Sequence, residues 1–200
     1  MTVKLVGSTS GSVSLQAPAS TSGGAHRVLT LPDANATLAT TSDSFGKILQ
    51  VKQTAKTDQF TSTAYAFTDV TGMSVSITPA STSNKILIKV EILVGGTANN
   101  YAAFRLLRDS THIGVSTVTD TDWRVATTGS LSHENSYQLE NTGTSFLDSP
   151  NTTSAITYKL QVSSYSNRTM SLNYPWNTGN SSGSYTATGI STITVMEVAA

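Results

Sequence analysis

From Asn84 to Val94 the apolar residues Ile86, Ile88, Val90, Ile92 and Val94 recur at every second position. Successive side chains of an extended strand point to opposite faces, so this spacing predicts a strand with one wholly apolar, core-facing side. Its other side mixes Lys85, Lys89 and Glu91 with Leu87 and Leu93, as expected of a strand only partly covered on its second face. A Gly95-Gly-Thr-Ala-Asn-Asn100 break follows, and then Tyr101 to Arg108, in which Phe104 and Leu106 alternate with Arg105 and Leu107. The break has turn chemistry, so the two runs are expected to pair as a β-hairpin.

The same alternation, punctuated by Gly, Pro, Asn, Asp and Ser, predicts further strands over 47–54, 60–69, 74–79, 112–119 and 123–132, a less regular one over 138–147, and clear ones over 156–162 and 190–198. Met170, Leu172 and Tyr174 are expected to form the hairpin partner of the 156–162 strand. No stretch carries a helical period. Short strands with turn signals at such intervals predict an all-β fold, an antiparallel β-sandwich or jelly roll over residues 45–200.

Residues 1–44 differ: Val13 and Leu15, then Val28, Leu29 and Leu31, then Leu38, stand as small apolar islands between Ser and Gly clusters. Such a segment buries too little surface to order itself alone. Two readings fit, an extended N-terminal arm that orders against another chain or a larger assembly, and a low-complexity leader.

Composition narrows the partners. Lys and Arg total 12 and Asp and Glu total 12, a formal net charge of +0, which gives no electrostatic ground for nucleic acid or an anionic membrane as partner. With no cysteine, neither disulfides nor thiolate chemistry enters. No apolar run is long enough for a secretory signal or a membrane span, so the expectation is a protein made in a cytoplasm, without membrane insertion.

Candidate chemistry is sparse. His26, His112 and His133 lack companions at metal-ligand spacing, and Asp120 with Asp122 lacks the glycine and glutamate of a calcium loop, so neither a metal nor a cofactor is expected. Glu134, Glu140, Asp120 and Asp148 make a catalytic pair only if the fold gathers them, and the chain is expected not to be an enzyme. The loop Tyr174-Pro-Trp176-Asn177-Thr-Gly-Asn180 sets aromatic rings among amides and hydroxyls. It reads either as a glycan contact, with Tyr174, Trp176, Asn177 and Asn180 touching sugar, or as a long loop anchored in the core by Trp176. Trp123 and Tyr137 pose the same choice.

Gly11-Ser-Val-Ser-Leu-Gln-Ala-Pro18, Arg27-Val-Leu-Thr-Leu-Pro-Asp33 and Ala36-Thr-Leu-Ala39 resemble the short module on the N-terminal side of tailed-phage fibre proteins, notably of marine and cyanobacterial phages. Gly46-Lys-Ile-Leu-Gln-Val51, Phe67 to Pro79 and Phe104-Arg-Leu-Leu-Arg-Asp109 look like the head that follows it. The resemblance implies a virion structural protein. Residues 1–44 would be a particle-docking arm, using Val13, Leu15, Val28, Leu29, Leu31 and Leu38, and 45–200 a head for host adhesion. It also implies a homotrimer whose partners are other virion proteins of tail, baseplate or capsid, with a host surface glycan as a further partner. The alternative within the same class is a capsid decoration, cement or head-fibre protein that stabilises the shell.

Overall fold

The structure, a computed structural model, describes residues 2–6, 12–16, 48–117, 126–128, 131–165, 168–177 and 187–200. The chain divides into two compact units, Met1–Asp43 and Ser44–Ala200. In the first, β1 (Thr2–Val6) pairs antiparallel with β2 (Ser12–Gln16), setting Leu5 opposite Val13 and Val3 opposite Leu15. Val28, Leu29, Leu31 and Leu38, expected in the docking arm, lie outside the described residues, as do His26, Asp120, Asp122 and Trp123.

The second unit is all-β among its described residues. One sheet holds β3 (Ile48–Lys56), β4 (Phe60–Ser62), β6 (Lys85–Gly96), β10 (Glu140–Asp148), β12 (Met170–Leu172) and β13 (Ser191–Val198). The other holds β5 (Thr68–Ile77), β7 (Asn100–Arg108), β8 (Thr111–Ile113) and β11 (Ile156–Ser163), with β9 (Leu131–His133) on β7. All their pairings are antiparallel. The inner faces meet in one core, in which Ile86, Ile88 and Ile92 of β6 pack with Phe104, Leu106, Tyr158, Leu160, Met170 and Ile193. This is the expected β-sandwich, wired like a jelly roll. The face predicted for β6 is the buried one, since Ile86 through Val94 at alternate positions are all at most 3% exposed.

Two expected hairpins are corrected. Strands β6 and β7 do not pair; they belong to different sheets. The reason lies at Gly95 and Gly96, which remain in β6 opposite Ser171 and Met170. A Cβ on Gly96 would stand 2.6 Å from the Thr169 carbonyl oxygen, so only glycine lets β12 approach so closely. The turn then passes through Asn99 at φ 58 and delivers the chain to the opposite sheet. Likewise β12 pairs with β6 and β4, not with β11, and it ends at Leu172, so Tyr174 is a loop residue. The local hairpin of this region is β7 with β8, closed by Asp109 at φ 53. The strand expected over 60–69 is also two elements, β4 and the start of β5, with a crossing between sheets from 63 to 67.

Strand β13 covers one edge of β6 from Lys85 to Glu91, and β12 takes the same edge from Val94 to Gly96. Asn173 fills the join. Its backbone N–H donates to the Leu93 carbonyl at 2.9 Å, and its Nδ2 donates to the carbonyls of Lys56 at 2.8 Å and Asp58 at 3.0 Å. Its Oδ1 accepts from the Ser191 hydroxyl at 2.6 Å, and the Ser191 oxygen accepts the Leu93 N–H at 3.1 Å. Asn173 is buried and left-handed, at φ 65, a conformation that asparagine tolerates better than other non-glycine residues.

At the opposite end the sheets are tied through two buried carboxylates. Glu197 accepts from Gln50 Nε2 at 2.6 Å, Asn84 Nδ2 at 2.6 Å and the Ala80 amide at 2.7 Å, fixing the crossing from β5 to β6. Burial pushes its carboxyl up, but the bonds from Asn84, Gln50, Ala80 and Ser81 outweigh this and hold it below the ordinary 4.5. Asp148 of β10 accepts from Arg108 of β7 at 2.9 Å and from the Tyr158 hydroxyl of β11 at 2.7 Å. Burial and that bond raise the Tyr158 hydroxyl far above its usual range.

Two outcomes follow for stability. Asn173→Ala should cost about 2–4 kcal/mol in denaturant unfolding, because buried carbonyls lose their donor. Asn173→Gly should be the milder by about 1 kcal/mol, since glycine accepts the left-handed backbone freely. For Glu197 the folded pKa is depressed, so its contribution is present above 4.5 and is lost as pH falls through the folded value. Glu197→Gln should therefore unfold about 1–3 kcal/mol more easily at neutral pH. The gap to the parent should shrink as the solution is acidified, read from denaturant midpoints across pH.

Candidate functional site

The loops of the sandwich gather at two ends of unlike chemistry. At one end lie 78–84, 109–110 and 149–155, rich in Ser, Thr, Pro and Asn and without an aromatic residue. Ile48 lies opposite Val198, and Val198 opposite Lys85, so β3 begins at this end. The other end carries 63–67, 97–99, 134–139, 164–165, 168–169 and 173–177, and here the exposed aromatic side chains among the described residues collect.

Each ring is set by backbone held beneath it. Tyr101 is the second residue of β7, opposite Ser132 of β9, and is 44% exposed. Its neighbour Asn100 is buried and points its Oδ1 at the Ser164 hydroxyl, 3.1 Å away, and the Tyr165 amide, 3.3 Å away. Tyr165 stands half-exposed against Tyr101, ring centroids 5.9 Å apart and planes at 82°, an edge-to-face pair. The Ser164 hydroxyl shares its one proton between Asn100 Oδ1 and the nearer Arg168 carbonyl, at 2.7 Å, and the Arg168 guanidinium donates to the Ala98 carbonyl at 3.2 Å. Tyr65 joins from the β4–β5 crossing: Ser164 N–H donates to the Ala64 carbonyl at 2.8 Å, and the Ser163 hydroxyl donates to the Tyr65 carbonyl.

The loop picked out in the sequence lies beside this pair. Asn173 and Pro175 are its buried anchors, Tyr174 is half-buried, and Trp176 and Asn177 are exposed, Trp176 by 46%. The Ser171 hydroxyl donates to the Tyr174 carbonyl at 2.6 Å. Asn177 N–H donates to the Ser136 carbonyl at 2.9 Å, joining this loop to the one that carries exposed Tyr137. That second loop is itself an Asx turn, with the Tyr137 amide 2.9 Å from Asn135 Oδ1. Asn180 lies outside the described residues.

The structure brings together Tyr174, Trp176, Asn177 and Tyr137, and adds Tyr65, Tyr101 and Tyr165, which the sequence reading passed over. Their signal was there: each tyrosine sits next to turn or small residues, in Asn-Asn-Tyr101, Ala-Tyr65-Ala and Ser-Ser-Tyr165. Of the carboxylates considered, Asp120 lies outside the described residues, and Glu140 and Asp148 are held apart. Glu140 and Asp148 begin and end the nine-residue β10, roughly 27 Å apart at about 3.4 Å per residue, far beyond the spacing of a glycosidase pair. Among the described residues, no group of three His, Asp or Glu side chains is placed to hold a metal ion.

Two surfaces lie away from the aromatic end. On the outer face of the five-stranded sheet, Asp69 accepts from Lys159 at 2.7 Å and Gln161 at 2.6 Å, which holds its carboxyl below the usual range. Arg105 there donates to Gln161 at 2.8 Å and lies 4.2 Å over the Phe67 ring. On the outer face of the six-stranded sheet, Val51, Met196, Leu87 and Leu147 fall in one row across β3, β13, β6 and β10, with Val51 55% and Leu147 47% exposed. Farther along the same face is a shallow cleft of about 270 Å³ lined by Lys89, Glu91, Asn141 and Ser145, in which Lys89 and Glu91 pair at 2.8 Å.

No family model matches this chain, and no curated protein does. Solved structures that match include that of the infectious bursal disease virus Gx strain, with a TM-score of 0.40 and 13% identity, covering 94% of this chain and 46% of that one. The VP2 subviral particle of the same virus matches with a TM-score of 0.38 and 12% identity, over 86% of this chain and 46% of that one. The chain thus spans less than half the length of these structures. Its β-sandwich fold rests on the strand register and shared core described above, and not on this likeness.

Proposed function

We propose that this chain is a non-enzymatic structural protein of a tailed-phage virion, a short tail fibre whose N-terminal arm docks on the particle and whose sandwich head attaches to the host. The placement in a virion is supported by the fibre-like pieces Arg27-Val-Leu-Thr-Leu-Pro-Asp33 and Gly46-Lys-Ile-Leu-Gln-Val51. The attachment reading is carried by one observation, the segregation of exposed Tyr65, Tyr101, Tyr137, Tyr165 and Trp176 to a single end of the head. Tyrosine and tryptophan supply large contact area at little conformational cost, which is why they concentrate at recognition surfaces. In this reading the arm, with Val13, Leu15, Val28, Leu29, Leu31 and Leu38, meets other virion proteins, and three copies assemble after synthesis in the host cytoplasm. Tyr174, Trp176, Asn177 and Asn180 contact a host surface glycan.

A second reading, a capsid decoration protein, is favoured by the row of Val51, Met196, Leu87 and Leu147, exposed at its two ends and half-buried between them. A flat apolar row on a sheet face suits lateral packing against neighbouring chains.

Immunogold labelling of whole particles separates the two, with label at the tail expected and label on the capsomers overturning the fibre reading. Light scattering on the purified protein should give a trimer, and a monodisperse monomer at micromolar concentration would count against it. Trp176→Ala should lower adsorption of the labelled protein to host cells about ten-fold with an unchanged melting temperature, because an exposed hot-spot ring is removed and no core contact is lost.

A further inference from the structure

We infer that the aromatic end binds an extended, uncharged saccharide chain laid across two ring platforms, the Tyr101–Tyr165 pair and the Trp176–Tyr137 loops, and not one sugar at the Trp176 loop alone. This rests on the attachment reading and names its ligand. The chemistry of the surface selects the class. Ring faces take up the apolar C–H faces of sugar rings, and Asn135, Ser136 and Gln138, of the loop that carries Tyr137, bring amide and hydroxyl groups to this end. Among the described residues charge here is scant and mixed: Glu134 and Glu140 flank the Tyr137 loop, Lys56 is buried and paired with Asp58, and the exposed Arg168 is turned back onto the Ala98 carbonyl. Among the described residues no basic cluster stands on this end to meet a polyanionic chain.

Geometry leaves room for a chain of several units. Tyr101 is opposite Ser132, and Tyr137 follows Ser132 by five residues, so the two platforms are at most roughly 25 Å apart along the backbone. They are also separately fixed. One is held through Asn100 and Ser164, the other through Asn173, Pro175 and the bond from Asn177 to Ser136. Two platforms, each tied to buried groups and within this reach of one another, give an oligosaccharide two footholds on one molecule, and binding to the second gains from the effective concentration set by the first.

The test uses the full-length protein, fluorescently labelled, on cells of the host bacterium. Periodate oxidation of the surface sugars should remove most of the binding, while protease treatment of the cells should leave it. Tyr101→Ala and Tyr165→Ala should each weaken binding about ten-fold, Tyr101→Phe should restore most of it because the ring is kept, and melting temperatures should confirm that each variant is folded. Loss of binding with Trp176→Ala but parent-like binding by both tyrosine variants would reduce the site to one platform and overturn the extended-chain proposal. Binding that survives periodate and is lost to protease would make the ligand a protein and overturn it as well. A parent protein that binds no host cell at all would instead bring down the attachment reading on which it stands.

Discussion

Strand β6 is longer than either partner on one of its edges, and the way the chain completes that edge organises the head. β13 covers Lys85 to Glu91, β12 covers Val94 to Gly96, and between them the ladder is broken at Leu93. A break in the middle of a buried sheet would strand several backbone groups without water, at a cost of about 1–3 kcal/mol each. The Asn173 amide and the Ser191 hydroxyl occupy the gap, and in doing so also satisfy the carbonyls of Lys56 and Asp58, where β3 gives way to β4. One buried asparagine thus joins four short strands into what amounts to two long ones. The β12 that it fixes leads directly into the Trp176 loop.

The two ends are stabilised by different means, and this bears on where recognition sits. Glu197 and Asp148 lie in one register row through Ile86, each supplied with donors from the opposite sheet or from the crossing loop. A buried carboxylate held by several donors is exacting in geometry, and removing any one donor leaves the buried charge short of a partner. That end tolerates little change. At the aromatic end most of the buried anchors are neutral, namely Asn100, Ser163, Ser164, Ser171 and Asn173, with Lys56 the buried charge beside them, paired with Asp58 at 2.8 Å, and the rings lie outside them.

Alternation made the strands and the inner face of β6 legible in the sequence, because burial on one side of a sheet enforces a period of two. Pairing was not legible. A turn such as Gly95 to Asn100 has the same composition whether it closes a hairpin or carries the chain across to the other sheet. The deciding fact is a long-range one, the approach of β12 to Gly96, contributed by residues more than seventy positions later. Of the candidate site, the Trp176 loop could be found because it departs from the Ser/Thr background. Tyr101 and Tyr165 could not be matched, since their contact depends on Asn100 of one sheet's strand reaching the loop after β11.

That contact also explains why rings can be displayed here without loss of fold. A loop held by apolar packing must bury its large side chains, whereas a loop held by backbone bonds to buried amides and hydroxyls keeps its large side chains for the surface. After β11 the Ser164 hydroxyl, its proton shared between Asn100 Oδ1 and the Arg168 carbonyl, takes the place of an apolar anchor. In the 173–177 loop Asn173 and Pro175 do so. The polar groups that order these loops are thus distinct from the aromatic groups that would meet a ligand, so ring identity at Tyr101, Tyr165 and Trp176 is free to change with the ligand while the scaffold beneath is kept.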